Sequence, residues 1–140
     1  MTNRRVMVRL LAALYAVPWL AEASADSTTE AQAAGKAWLS MLDAVDYAGT
    51  WSSAASSFKS AIAAHAWQQA AQAARQPLGV VKARQQKSAT STRSLPGAPD
   101  GQYVVFLFDT NFENKAHGTE TMTLAQDQDG QWRVAGYFVK

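Results

Sequence analysis

The chain has 140 residues, room for one domain of ordinary size and too few for two. It contains no cysteine, which excludes disulfides, thiolate metal ligands and cysteine nucleophiles. An apolar fraction of 48% against 17% charged residues excludes a disordered chain, while a formal charge of +2 and a pI near 9.0 raise the question of a polyanionic partner.

Arg4, Arg5 and Arg9 give a positive start, followed by the apolar run Leu10 to Leu20. That run is 11 residues long, suited to the core of an export signal and short of the ~20 that span a bilayer. Ala23-Ser24-Ala25 supplies the small-x-small pattern of a cleavage site, so residues 1–25 read as a signal peptide and Asp26 as the first mature residue. Without a cysteine at that site the product is not a lipoprotein, and the expected location is the periplasm. Three of the 13 basic residues and one of the 11 acidic ones lie in residues 1–25, which leaves ten of each sign. The mature chain is formally neutral, and the global case for nucleic-acid binding disappears.

Residues 31–74 hold 16 alanines and residues 75–140 only 6, so the first stretch reads as helical. Ala34, Trp38, Met41, Leu42 and Val45 recur at helical spacing and predict a first helix from about Thr29 to Val45. Asp46 is placed to cap a short second helix carrying Tyr47, Trp51 and Ala55. Ser56 or Ser57 can cap a third, from Phe58 through Ala74, with Ile62, Ala66, Ala70 and Ala73 as its stripe and Trp67 beside it. Pro77 and Gly79 end it.

Beyond Gly79 the pattern becomes strand-like. Val80 to Leu95 is long, polar and weakly alternating, as an edge strand would be, and Leu95-Pro-Gly-Ala-Pro-Asp-Gly101 is a turn. Tyr103 to Phe112 carries apolar residues on both faces and reads as a central strand. Asn114 to Gly118 predicts a turn, Thr119 to Gln126 a third strand, and Asp127-Gln-Asp-Gly130 a hairpin into a last strand from Gln131 to Val139. The sum is an α+β fold in one domain, residues 26–140: three N-terminal helices packed on one face of a curved, four-stranded antiparallel meander.

Trp51, Phe58, Trp67, the segment Arg75-Gln-Pro-Leu-Gly79 and Arg84 resemble the bacterial family called domain of unknown function 4019. Leu95-Pro-Gly, Gly101-Gln-Tyr103, the strand Phe106 to Phe112, Glu120 and Asp129-Gly-Gln-Trp-Arg-Val-Ala-Gly-Tyr137 continue the resemblance, which covers about residues 32–139. Helices before a curved antiparallel sheet also look like the nuclear-transport-factor-2-like superfamily. That resemblance implies a cone-shaped architecture that serves enzymes, binding modules and association domains alike, and so implies no reaction.

Standard catalytic patterns are weak. Ser56-Ser-Phe-Lys59 fits Ser-x-x-Lys without the partner motifs, and helix-start serines explain it better. His65 and His117 lack metal-ligand spacing, so no metal and no cofactor is expected. Asp43, Asp46, Asp109 and Glu120, with Tyr47, Tyr103 and Tyr137 as hydroxyl donors, are the groups an enzyme would use; that reading needs a pocket into which Glu120 or Asp109 points. Trp38, Trp51, Trp67 and Trp132 could form a stacking platform, although core packing is the commoner fate, with Trp51 and Trp67 the more exposed.

Charge is the stronger clue. Tyr47 to Pro99 holds no acid, while Lys59, Arg75, Lys82, Arg84, Lys87 and Arg93 contribute +6; residues 26–46 and 100–140 each sum to −3. On a regular strand Lys82 and Arg84 share one face, and Lys87 and Arg93 the other. This segment could meet an anionic ligand or an envelope protein; the plainer alternative is cross-strand pairing with Asp109, Glu113 and Glu120, and lysines guarding an edge. The binding candidates are Arg75, Lys82, Arg84, Lys87, Arg93, Glu120 and Tyr137, with Arg75 also placed to cap a helix C-terminus and Arg84–Glu120 to form one inter-strand ion pair. The reading is an exported, non-catalytic binding or accessory module without a membrane-spanning segment in its mature chain. A ligand-binding or enzymatic cone and a homodimer joined through the sheet face are the alternatives.

Overall fold

A computed structural model describes residues 16–140, with side chains from Ser27 onward; the expected positive start and most of the apolar run lie outside the described residues. The alanine-rich half is helical. Helix α1 runs Ala16–Asp43 and buries Ala31, Trp38, Leu39 and Leu42. Gly35 lies against the sheet, where an added Cβ would displace the end of the Met122 side chain.

The helix ends two residues before the expected Val45. Asp46 N donates to Met41 O and Val45 N to Leu42 O, closing a Schellman motif with Val45 in its left-handed position at φ 66°. Glycine normally occupies that place, and a β-branched residue there is strained. Asp46 then caps α2 (Tyr47–Ser52) as expected, accepting from Gly49 N at 3.0 Å.

The segment expected as one third helix is broken. Helix α3 spans Ser56–Ala61 and α4 spans Ala64–Arg75, with Ile62 and Ala63 extended between them. The break frees the Ile62 carbonyl, which accepts from Trp51 Nε1 at 2.9 Å. Helix α4 then buries Trp67, Ala71 and Arg75, spaced i, i+4, i+8, and leaves Ala66, Ala70 and Ala73 exposed. Neither serine caps α3 with its own side chain. Asp127, distant in sequence, accepts from Ser56 N at 3.3 Å and Ser56 Oγ at 2.9 Å.

A 3₁₀ turn, Gln76–Leu78, leads to the sheet: β1 Val81–Thr92, β2 Tyr103–Phe112, β3 Lys115–Gln126 and β4 Trp132–Val139, antiparallel in the order β1-β2-β3-β4. The meander and its edge strands are as expected. His117, however, lies within β3, because the chain reverses over Glu113 and Asn114, ahead of the expected turn. Strand β1 carries two irregularities, between Val81 and Ala83 and between Gln86 and Ser88. Lys82 and Lys87 are the residues left out of the ladder, and each resets the alternation. Arg84 therefore stands opposite Thr110 and half-buried while Lys82 is exposed, which corrects the expectation that the two share a face. The helices cover the sheet face that carries Val104, Phe106, Phe108, Thr110 and Phe112 of β2 and Glu120, Met122 and Leu124 of β3, all buried.

Three of the tryptophans are core residues. Trp38, Trp67 and Trp132 are buried and Trp51 is half-buried against the same cluster. Thr50 accepts from two of them, its carbonyl from Trp38 Nε1 and its hydroxyl from Trp67 Nε1, each at 2.9 Å. Trp67, expected near the surface, is thus inside, edge-on to Phe58 with 4.9 Å between centroids. A stacking platform is not formed.

Candidate functional site

Four of the seven candidate residues meet where the C-terminal ends of α1 and α4 reach the sheet. Glu120 points inward from β3 with no exposed surface. Its Oε1 accepts from Arg84 Nε at 2.7 Å and Thr110 Oγ1 at 2.5 Å. Its Oε2 accepts from Arg84 Nη2 at 3.2 Å and Tyr137 Oη at 2.5 Å. Four donors fill both oxygens. Burial pushes the Tyr137 hydroxyl far above the usual tyrosine range, and the Glu120 charge beside it adds to the effect, so the proton stays on the phenol.

Arg84 uses its other edge on Asp43, from Nη1 to Oδ2 at 2.8 Å and from Nη2 to Oδ1 at 3.0 Å. Asp43 Oδ1 also accepts from Arg75 Nη2 at 2.9 Å. Burial alone would raise the Asp43 carboxyl; hydrogen bonds from Arg84 and Arg75 outweigh it and hold the group below the usual range. Glu120, Arg84, Asp43 and Arg75 form a chain of alternating charge with no net charge. Sequence reading placed Arg84 against Glu120 but gave Asp43 and Thr110 no place in this network; Asp43 reaches it only because α1 ends there.

This arrangement speaks against acid–base catalysis by Glu120. The carboxylate and tyrosine do come together, but the carboxylate is sealed and saturated, and a base must reach its substrate's proton. Asp109 is exposed, and Asp46 is spent on the α2 cap. Lys59 donates to Ser52 O at 3.2 Å while Ser56 bonds Asp127, so no Ser–Lys pair exists. Among the described residues no cluster of three or more His, Asp or Glu could hold a metal, and no helix is long and apolar enough to cross a membrane.

Lys82, Lys87 and Arg93 stand apart from this network. All three are exposed, and none forms an ion pair among the described residues. The pairing expected of them with Asp109 and Glu113 is absent; Lys87 Nζ reaches only Gln85 Oε1, at 3.4 Å.

Beside the Asp43–Arg75 pair lies an open cavity of about 470 Å³. Leu42, Val45, Tyr47 and Val80 give it apolar walls, and Glu113 and Asp43 contribute carboxylates. Val45 and Val80 are each 65% exposed. Gly79, at φ 77°, packs so closely on Glu113 that a side chain would meet it. Arg75 also lines this cavity, although only 6% of it is exposed. Its guanidinium lies over the Phe112 ring at 5.1 Å, and its Nε and Nη1 have no hydrogen-bond partner among the described residues.

No curated protein and no solved structure matches the chain. A family model does match, over residues 34–137, a range that takes in Asp43, Arg75, Arg84, Glu120 and Tyr137. The chain therefore belongs to the family described as Protein of unknown function (DUF4019).

Proposed function

We propose that this is an exported, periplasmic, non-catalytic binding module whose ligand site is the cavity between α1, α4 and the start of β1. One observation carries the reading: an apolar-walled opening of about 470 Å³ abuts a buried arginine with unpartnered donors. A volume of that size suits a small organic molecule. The strained backbone of Val45 at the same opening supports it, since strain of this kind collects at ligand clamps. The adjoining network would act as scaffold, holding α1 and α4 on the sheet. Helices ahead of a meander sheet support placing the fold with nuclear-transport-factor-2-like proteins, and export rests on the composition of residues 1–25.

Ligand-observed NMR with a mixture of small organic acids, alcohols and amines tests the site. Saturation transfer is expected to at least one of them with the native protein and to be lost in Val80→Trp, which fills the opening from an exposed position. Equal signals from both proteins would remove the cavity as the site. Export is checked by the mass of the protein in the periplasmic fraction, expected to begin at Asp26.

A second reading, self-association through the outer sheet face, is favoured by the cross-strand row Leu107–Thr121–Phe138, in which Leu107 is 37% and Phe138 57% exposed. Light scattering at micromolar concentration is expected to give twice the monomer mass if it holds, and a monomer would dismiss it.

A further inference from the structure

We infer that the cavity takes a small monocarboxylate with an apolar body, the carboxylate seated on Arg75; this deepens the proposed function and rests on the cavity being the binding site. A guanidinium offers two edges, each with two parallel N–H groups, and five donors in all. Asp43 accepts one hydrogen of Nη2, and among the described residues no atom accepts from Nε or Nη1. One edge therefore remains whole whichever hydrogen Asp43 takes. A buried charged donor without a partner is costly, so a site that leaves several so is built for an acceptor supplied from outside. The Phe112 ring covers a face of the guanidinium, which leaves approach in its plane, the geometry of a two-point carboxylate contact.

The lining selects further. Asp43 and Glu113 stand at the cavity and Arg75 already shares its charge with Asp43, so a dianion such as phosphate meets about twice the repulsion that a single carboxylate does. Leu42, Val45, Tyr47 and Val80 then cover a hydrocarbon tail. Nε and Nη1 are buried, so the ligand reaches them by displacing wall side chains. Gln72 and Gln76, exposed and bonded to each other at 3.1 Å, are the part of the wall free to yield.

The test titrates octanoate, octanol, octylamine and inorganic phosphate into the ¹⁵N-labelled protein, following the Arg75 Nε–H cross-peak and the melting temperature. Octanoate is expected to move that cross-peak and to bind at least about tenfold more tightly than octanol or octylamine, as a charge-assisted contact would give; phosphate is expected to leave both readouts unchanged. Arg75→Lys, which keeps the charge and loses the planar edge, is expected to erase the preference for octanoate over octanol. Because Arg75 is buried and that variant could unfold, Val80→Glu is the second arm: it costs both ligands the apolar contact, and its added negative charge at an exposed wall position should weaken octanoate several-fold more than octanol. Octanol or octylamine binding as tightly as octanoate, phosphate displacing octanoate, or octanoate weakened no more than octanol in Val80→Glu would each overturn the carboxylate assignment while leaving a cavity ligand in place. Failure of all four probes to bind would remove the cavity reading with it.

Discussion

Tyr137→Phe removes one oxygen and leaves the ring where it packs, 5.3 Å from Trp38 between centroids. Glu120 Oε2 then keeps a single donor, Arg84 Nη2 at 3.2 Å, long for a charge-assisted bond. Water cannot replace the hydroxyl, because Glu120 has no exposed surface. A hydrogen bond to a charged group contributes about 1.5–3 kcal/mol, so the expected loss is about 2 kcal/mol, or roughly 6–10 °C in melting temperature for a domain of this size. Thr110→Val should cost less, about 1 kcal/mol, since Glu120 Oε1 retains Arg84 Nε at 2.7 Å. Urea unfolding at neutral pH, followed by tryptophan fluorescence, measures both. A Tyr137→Phe effect below about 0.5 kcal/mol, the range of an ordinary surface change, would show that the carboxylate does not need the hydroxyl.

Val45→Asn should stabilise the protein by about 0.5–1 kcal/mol: asparagine accepts the left-handed position whose cost to valine is about 1–2 kcal/mol, and an exposed side chain gives up little burial. A lower unfolding midpoint in the variant would contradict that. Asp127→Ala removes the acceptor at the start of α3 and a partner of Arg133 at 2.9 Å, and should cost about 1 kcal/mol by the same unfolding assay, with an unchanged midpoint counting against a capping role. Asp43 and Asp129 titrate below the usual carboxylate value of 3.8, Asp129 at about 2 because Arg133 donates to it. Folded-state values below the unfolded ones mean their stabilisation is complete above that value and is lost as pH falls through the folded ones. Stability measured by denaturant should hold from neutral pH to about 4 and drop between there and about 2; a drop already complete above pH 5 would point to other groups.

The parts of the fold legible in the sequence are those set by local chemistry. The Asp46 cap, the Asp127–Gly130 hairpin and the alternation of β2 all depend on residues within a turn or strand of one another. In β4 a regular alternation would put Phe138 on the face of Trp132 and Val134, but Ala135 drops out of the ladder, which turns Tyr137 inward and leaves Phe138 57% exposed. What could not be read depends on distant partners. Nothing near Ile62 breaks a helix; the break is tied to a carbonyl that Trp51 uses, 11 residues away. The stripe on α4 was misplaced because counting alanines weights them like tryptophan, whereas the large side chains Trp67 and Arg75 decide which face is buried. The two bulges in β1 fall on lysines, which give an alternation pattern no reason to shift phase.

Those bulges also divide the charge of the basic middle segment. Of its six cations, Arg75 and Arg84 are drawn into the neutral chain with Asp43 and Glu120, and Lys59 donates to a helix carbonyl. Lys82 and Lys87 occupy the irregular positions of an edge strand, where an unpaired residue and a charge both oppose docking of another strand. The sequence cluster of positive charge is thus not one surface. Its buried members stabilise the junction of α1, α4 and the sheet, its strand lysines guard an edge, and the guanidinium of Arg75 alone combines unused hydrogen-bonding capacity with a cavity to fill it. Recognition of an anion by this protein would therefore depend on the geometry of one arginine more than on net charge, and should be less sensitive to salt than binding to the exposed lysines would be.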